Sequence, residues 1–306
     1  MTDADLSDEP DELKAPRPGS TTRASIVVVD GGRSRRTSDL LATEEPMEIR
    51  LIAGGETRTV AITMRTPGSD FELAAGFLHG EQLVHDPADI RRISYCADRA
   101  IDVEQRYNIV NVELRAGLTP DLKPLDRYFY TSSACGVCGK ASLEALRLSA
   151  CPTIAAGPVV SATTLLSLAD GLRSKQGLFA STGGLHAAAL FDPSGRLLAA
   201  REDVGRHNAV DKLIGWALLE GRLPLADAVL MVSGRASYEI MQKAAVAALP
   251  IVCAISAPSS LALDLAREFG MTLVGFLRGS RFNIYAGAER IAGDDARSRS
   301  SSLLDT

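Results

Sequence analysis

Three apolar runs in the second half of the chain constrain its fold more than any other feature. They are AVLMVSG (228–234), IVCAISA (251–257) and MTLVGFL (271–277). Each is strand-length and lacks the polar alternation of a strand with one wet face. Between them, ASYEIMQKAAVAAL and SSLALDLAREFG place apolar residues at helical spacing, and Pro250 ends the first helix. Strands that are apolar all round need cover on both faces, and an alternating strand–helix order supplies it as a largely parallel sheet. The preceding VGRHNAVDKLIGWALLEG reads as another helix, buried through Val210, Leu213, Ile214, Ala217 and Leu218. GLFASTGGLHAAALF reads as a strand, continued by a hairpin turned at Asp192-Pro193-Ser194-Gly195. Ser161 is placed to cap a further helix, ATTLLSLADGLR.

The first half has a different pattern. SIVVVDGG is a short strand ending in a turn, followed by a polar, basic segment with Arg33, Arg35 and Arg36. EIRLIAGG and ETRTVAITMR alternate apolar and polar residues around Gly54-Gly55, the signature of a β-hairpin. Ser69 or Asp70 caps a helix whose apolar face is Phe71, Leu73, Ala74, Phe77 and Leu78; IRRISY and NIVNVELR add strands. LTPDLKPLD, with two prolines, breaks the pattern. The expected organisation is a tail at 1–22, a small strand-rich α+β domain at 23–122, an α/β domain at 123–292 and a second tail at 293–306. Both tails are polar and are expected to be disordered.

In an open α/β sheet, ligands bind beyond the carboxyl ends of the strands. Three polar clusters fall there: Ser233-Gly234-Arg235, Ser256-Ala257-Pro258-Ser259-Ser260 and Arg278-Gly279-Ser280-Arg281. Serines at helix N-termini together with arginines suit a phosphorylated ligand. Singly, each cluster is better read as a helix cap with solvated arginines; together, on one edge, they favour a ligand. Glu202 to Lys212 adds Glu202, Asp203, Arg206, His207, Asp211 and Lys212, more ionisable groups than a strand-to-helix turn requires. His186, after a glycine pair, either lines the same edge or is a buried structural residue. His85 reads as a surface residue.

Five cysteines are present, and two of them form Cys135-Gly136-Val137-Cys138 between a strand-like RYFY and the helical ASLEALRL. A helix N-terminus favours the thiolate, which serves either sulfur chemistry or a soft metal. The pattern admits a zinc pair, a redox pair or a sulfur carrier with Cys135 as its persulfide. No second C-x-x-C and no H-x-x-x-H supplies further zinc ligands. His79-Gly80-Glu81 followed by Cys135 and Cys138 gives part of the zinc deaminase signature, with Ala134 where that signature has proline. Cys253 reads as core, and Cys96 and Cys151 as structural. An odd count in a long chain with an acidic N-terminus points to a cytoplasmic protein rather than a disulfide scaffold. Net charge is −5, and the acidic ends account for all of it. A neutral body argues against nonspecific nucleic-acid binding, and no apolar stretch suggests a membrane segment.

CGVCGK, STGGLHAAAL, EDVGRHNAVDK, SGRASYEIMQKAA and GFLRGSRFNIY occur in this order. Over about residues 45–290 the chain resembles the FdhD/NarQ family, sulfur carrier proteins needed for formate dehydrogenase activity. The resemblance implies a cytidine-deaminase-like three-layer α/β/α domain, which makes His79-Gly80-Glu81 incidental. It implies a sulfurtransferase that takes sulfur from a cysteine desulfurase as a persulfide. That sulfur passes to the molybdenum cofactor carrying two molybdopterin guanine dinucleotides, before the cofactor enters apo formate dehydrogenase. Cys135 matches the persulfide cysteine and Cys138 its companion. Phe276, Leu277, Arg278, Gly279, Ser280 and Arg281 match the cofactor-binding stretch, with Arg278 and Gly279 where some relatives have lysine and proline. Arg206, His207, Ser233 and Arg235 are the further candidates for cofactor binding. A cargo with two nucleotides suits a homodimer offering two pockets.

Overall fold

The computed structural model describes residues 18–120, 154 and 156–293. Cys135, Cys138, Lys140 and Cys151, the expected boundary at 122/123 and most of both tails lie outside these residues.

The described residues open with a hairpin, β1 (Thr21–Asp30) and β2 (Arg33–Ala42), which pair along their full length as a two-stranded sheet. The segment read as polar and basic is therefore a strand. Gly31 and Gly32, at φ 53° and 80°, form the two-residue turn, and the right-handed twist of the strands favours that conformation. β3 (Glu45–Ala53) and β4 (Glu56–Arg65) form the expected Gly54-Gly55 hairpin. α1 (Asp70–Gly80) follows, then β5 (Ile90–Tyr95), the one-turn α2 (Val103–Arg106) and β6 (Ile109–Leu114). The sheet order is β4-β3-β6-β5, with β3 and β6 parallel. Met47, Ile49, Leu51, Val110 and Val112 of the sheet pack on Leu73, Ala74 and Leu78 of α1. Each such side chain contributes on the order of 2 kcal/mol by leaving water.

The second half comprises β7 (Val160–Ser161), α3 (Ala162–Arg173), α4 (Gly177–Thr182), β8 (His186–Phe191), β9 (Leu197–Asp203), α5 (Arg206–Leu219), β10 (Val229–Val232), α6 (Tyr238–Val246), β11 (Ile251–Ala254), α7 (Ser260–Glu268), β12 (Thr272–Arg278), β13 (Arg281–Ala286) and β14 (Ile291–Ala292). Six strands form one sheet in the order β13-β12-β11-β10-β8-β9. Only the β10–β11 and β11–β12 pairings are parallel, so the expected largely parallel sheet is a mixed one. Two tight turns cause this. The Asp192 carboxylate accepts N–H bonds from Ser194 and Arg196, folding β9 back on β8. The Arg278–Arg281 turn folds β13 back on β12. Leu190, Leu230, Val252 and Leu273 face α5, α6 and α7, while Ala189, Met231, Cys253 and Val274 face α3. Helices thus cover both faces. Ser161 caps α3 as expected, its hydroxyl accepting the Thr164 N–H at 3.0 Å. Residues 177–182, read as strand, are the helix α4 because the Glu202 carboxylate accepts the N–H groups of Leu178 and Phe179 at 3.0 and 2.8 Å.

The halves meet where α1 crosses α5. A Cβ built on Gly76 would lie 1.8 Å from the Asp211 carbonyl oxygen, and one on Gly215 would lie 1.8 Å from that of Glu72. The two glycines let the backbones touch. Arg201 of β9 grips the Glu72 carboxylate beside them with two bonds of 2.5 and 2.6 Å. Leu218 of α5 belongs to the same core as the first sheet.

Candidate functional site

Because β10, β11 and β12 run parallel, the loops that follow them open on one edge, as the sequence pattern requires. Backbone bonds lace these loops together. Ile255 N–H donates to Val232 O, Ser259 N–H to Ala236 O, and Phe276 N–H to Ser256 O, all at 3.0–3.1 Å. The antiparallel β8 and β9 bring His186 and Asp203 to the same edge as a directly opposed pair. Ser233 seals that corner, its hydroxyl accepting the Ala187 N–H at 2.9 Å.

The ionisable stretch 202–212 divides cleanly. Glu202 holds α4, as described. Asp203 is fully buried and accepts from Thr66 N–H, Gly205 N–H, Asn208 Nδ2 and, at 2.7 Å, Lys212 Nζ. It fixes the start of α5 and ties it to the loop before α1. Asp211 pairs with Lys243 of α6 at 2.7 Å. Burial opposes the charge on Lys243, but Asp211 and Glu81 outweigh it and raise its pKa. These groups therefore hold the fold together, and the surplus of charge at the edge reduces to Arg206 and His207.

His207 Nε2 lies 2.6 Å from the Glu239 carboxylate and 3.1 Å from Ser237 Oγ, both on the first turn or cap of α6. The hydrogen bond from His207 holds Glu239 below the usual carboxylate range, against the opposing effect of burial. His186 is half-buried, and burial, then the neighbouring Arg206 and His207, lower its pKa. Ser237 and Glu239 were not singled out by sequence reasoning. The signal was present in SGRASYEI, where the cap serine and first-turn acid of α6 face a histidine about thirty residues earlier, across the single strand β10.

At the other end of the edge, Phe276 has φ 53°, a left-handed conformation costing about 1–3 kcal/mol in a non-glycine residue. It sits in an irregularity of the β12–β13 pairing, with the Arg278 guanidinium 5.9 Å from its ring centroid. Arg278, Gly279, Ser280, Arg281 and Arg235 are exposed; Leu277 is in the core, so its side chain is withdrawn from the edge. Of the serines, Ser259 is an ordinary cap, accepting the Ala262 N–H at 3.2 Å. The structure thus brings Arg206, His207, Ser233, Arg235, Phe276, Arg278, Gly279, Ser280 and Arg281 to one edge. Cys135 and Cys138 lie outside the described residues.

His79 of the partial deaminase signature is buried on α1, with Nδ1 3.0 Å from Val84 O. Gly80 beside it packs on Lys243. No group of three or more His, Cys, Asp or Glu among the described residues is arranged to hold a metal.

Comparison with known proteins finds relatives along most of the chain. The chain is 52% identical over 275 residues to the sulfur carrier protein FdhD of Streptomyces coelicolor, covering 89% of this chain and 96% of that one. It is 52% identical over 272 residues to that of Mycolicibacterium paratuberculosis, covering 89% and 98%. The crystal structure of a Desulfotalea psychrophila protein, provisionally described as a formate dehydrogenase accessory protein, superposes with a TM-score of 0.68 at 26% identity, covering 89% and 99%. Residues 42–292 match the FdhD/NarQ family as a whole, and the chain belongs to that family.

Proposed function

We propose that this protein is a sulfur carrier supporting formate dehydrogenase, acting in the cytoplasm as a sulfurtransferase. The observation that carries the reading is 52% identity, over most of the chain, to proteins named as sulfur carriers. In this reading the second half is a cytidine-deaminase-like α/β/α domain, and residues 23–122 and 123–292 are its two domains.

The Cys135 thiolate attacks the outer sulfur of a cysteine desulfurase persulfide. The donor's S–S bond breaks, its cysteine leaves as a thiolate, and a Cys135 persulfide forms without net oxidation. Delivery of that sulfur to molybdenum as sulfide needs two electrons. Cys138 supplies them by attacking the inner sulfur of Cys135, closing a disulfide and releasing the outer sulfur as hydrosulfide. The cargo is the molybdenum cofactor with two guanine dinucleotides, bound as substrate and passed on to apo formate dehydrogenase. Its phosphates dock on Arg278, Arg281, Arg235 and the laced loops, and the exposed part of Phe276 offers a stacking surface. A homodimer presents one such edge for each nucleotide.

The test is intact-mass measurement after incubation with cysteine and a desulfurase. A reducible gain of about 32 Da on a Cys135 peptide is expected, the mass of one sulfur on the persulfide step of cysteine oxidation. A Cys135→Ala variant that still takes up labelled sulfur and still supports formate dehydrogenase overturns the mechanism.

A further inference from the structure

Four arginines stand on this edge without a partner. Among the described residues Arg206, Arg235, Arg278 and Arg281 make no ion pair and no hydrogen bond, and the Nε of Arg206 is buried as an orphaned donor. Elsewhere arginines hold carboxylates, as Arg65 does with Asp70 and Arg201 with Glu72. The acids near the edge are already committed, Glu239 to His207, Asp203 to Lys212 and Asp211 to Lys243. The edge is therefore a cationic surface that no described acid compensates, and a buried donor left unmade costs stability until an acceptor reaches it. The complementary charge is at one place in the chain. Residues 1–17 hold six acids, Asp3, Asp5, Asp8, Glu9, Asp11 and Glu12, against Lys14 and Arg17. They lie before residues 42–292, the part matched to the family. The segment enters the body beside the edge. Ser20 donates its hydroxyl to Pro67 O at 2.8 Å, and its carbonyl accepts the Thr43 N–H at 3.0 Å. Thr66, next to Pro67, donates its N–H to Asp203, which stands directly opposite His186 at the corner of the edge. From that corner Arg278, at the end of β12, is three strand spacings away, roughly 15 Å. Glu12 is eight residues from Ser20, an extended reach of about 28 Å, and Asp3 has about twice that. Residues 294–306 carry three acids and two arginines and follow β14, which pairs with β7 outside the six-stranded sheet, so they match the edge in neither charge nor position.

We propose, resting on the phosphate-bearing cargo read for this edge above, that the carboxylates of Asp3 to Glu12 are an intramolecular ligand of these arginines, holding the edge until the phosphates of the cargo displace them. A carboxylate and a phosphate offer a guanidinium the same paired oxygens, so the two compete for one set of donors. Each exposed ion pair is weak alone, but the tether supplies the segment at an effective concentration near millimolar, and several pairs form together. The result is a threshold on charge. An anion with a single weak contact meets an occupied edge, whereas a cargo with two nucleotides brings enough phosphate to take the arginines over. The segment thereby restricts the edge to highly charged ligands, without adding a contact to the ligand itself.

The experiment compares the full chain with a full-length variant carrying Asp3→Asn, Asp5→Asn, Asp8→Asn, Glu9→Gln, Asp11→Asn and Glu12→Gln, each titrated calorimetrically with guanosine diphosphate. At an ionic strength of about 0.01 M, where the Debye length is about 30 Å, the variant should bind about three- to tenfold more tightly, the effect of removing a tethered competitor. At about 0.15 M, where that length is about 8 Å, the advantage should shrink. In amide NMR spectra of the wild type, the signals of residues 3–12 should move as guanosine diphosphate is added. In a chain carrying both Arg206→Gln and Arg281→Ala they should already stand at the displaced positions. Equal affinities of the two proteins at low ionic strength overturn the inference. A tighter variant whose wild-type parent shows no movement of those signals also overturns it, because the charge then acts at a distance. In both cases, loss of nucleotide binding in Arg281→Ala alone leaves the proposed function standing. No binding of guanosine diphosphate to either protein, or binding indifferent to Arg281→Ala, overturns the phosphate-edge reading and the inference with it.

Discussion

Replacing Gly215 by alanine tests the junction that positions the whole edge. In an isolated helix the change would be mildly favourable, by about 1 kcal/mol, because alanine loses less backbone freedom. Here the new Cβ would sit 1.8 Å from Glu72 O and 2.7 Å from the Gly76 nitrogen, whereas ordinary contact begins near 3.4 Å. The obstruction is helix backbone, which no side-chain rotation relieves. α1 and α5 must part by roughly 1.6 Å, the difference between those two distances. Overpacking of this kind costs about 1–3 kcal/mol or more. The shift also strains the Arg201–Glu72 bridge and opens the core around Leu218. A net loss of about 3 kcal/mol is expected, lowering Tm by roughly 6–12 °C for a chain of this size. Urea unfolding should show a lower midpoint with an unchanged slope. Because Gly76→Ala opens the same gap, the double variant should lose less than the sum of the single losses. A Gly215→Ala protein as stable as the parent, or more so, would refute the account of the crossing.

Two further outcomes follow from buried groups. Asp203→Asn removes the charge opposite Lys212 at a site sealed from water, and should destabilise by about 3–5 kcal/mol, the cost of stranding a buried charge; equilibrium denaturation checks it, and a loss under 1 kcal/mol refutes the role of Asp203 as anchor. Burial lowers the pKa of His79 below the ordinary 6.5, and burial with nearby cations does the same for His186. The unfolded chain then binds protons that the folded one refuses, so their contribution is complete above pH 6.5 and is lost as pH falls below it. Thermal unfolding should therefore show a lower Tm at pH 5.5 than at 7.5, with a smaller difference in His79→Gln; a higher Tm at 5.5 would refute the assignment.

The sequence was most informative where one pattern dictated both burial and direction. The unbroken apolar runs at 228, 251 and 271 gave the parallel centre of the sheet, and with it the edge on which the loops converge. Its antiparallel flanks were less legible. The DPSG turn between β8 and β9 was read, but its effect on the neighbouring strand order was not. β2 was missed because RSRRTSD is polar on both faces, and the information lay instead in the Gly31-Gly32 turn. Residues 177–182 defeated local reading altogether, since their helix is held by a carboxylate more than twenty residues away. The site divides similarly. Arg278 to Arg281 could be placed from the strand ending before them. The charges of 202–212 could be listed but not sorted, because only long-range contacts with Thr66, Lys243 and α4 separate anchors from the groups left at the edge.

The first hairpin has a consequence for the protein's behaviour in concentrated solution. Among the described residues β1 and β2 join no other sheet; α4 lies against β2, while Val27 and Val29 of β1 stand largely exposed. An exposed strand edge is a template on which another chain can add a strand. In the register of the ribbon, Arg36 stands opposite Val27 and Arg35 opposite Val28, with Arg33 beside the turn. The arginines oppose stacking of like ribbons by charge repulsion, in the manner of gatekeeper residues beside an unavoidable apolar strand. The ribbon keeps its valines without inviting copies of itself to zip together.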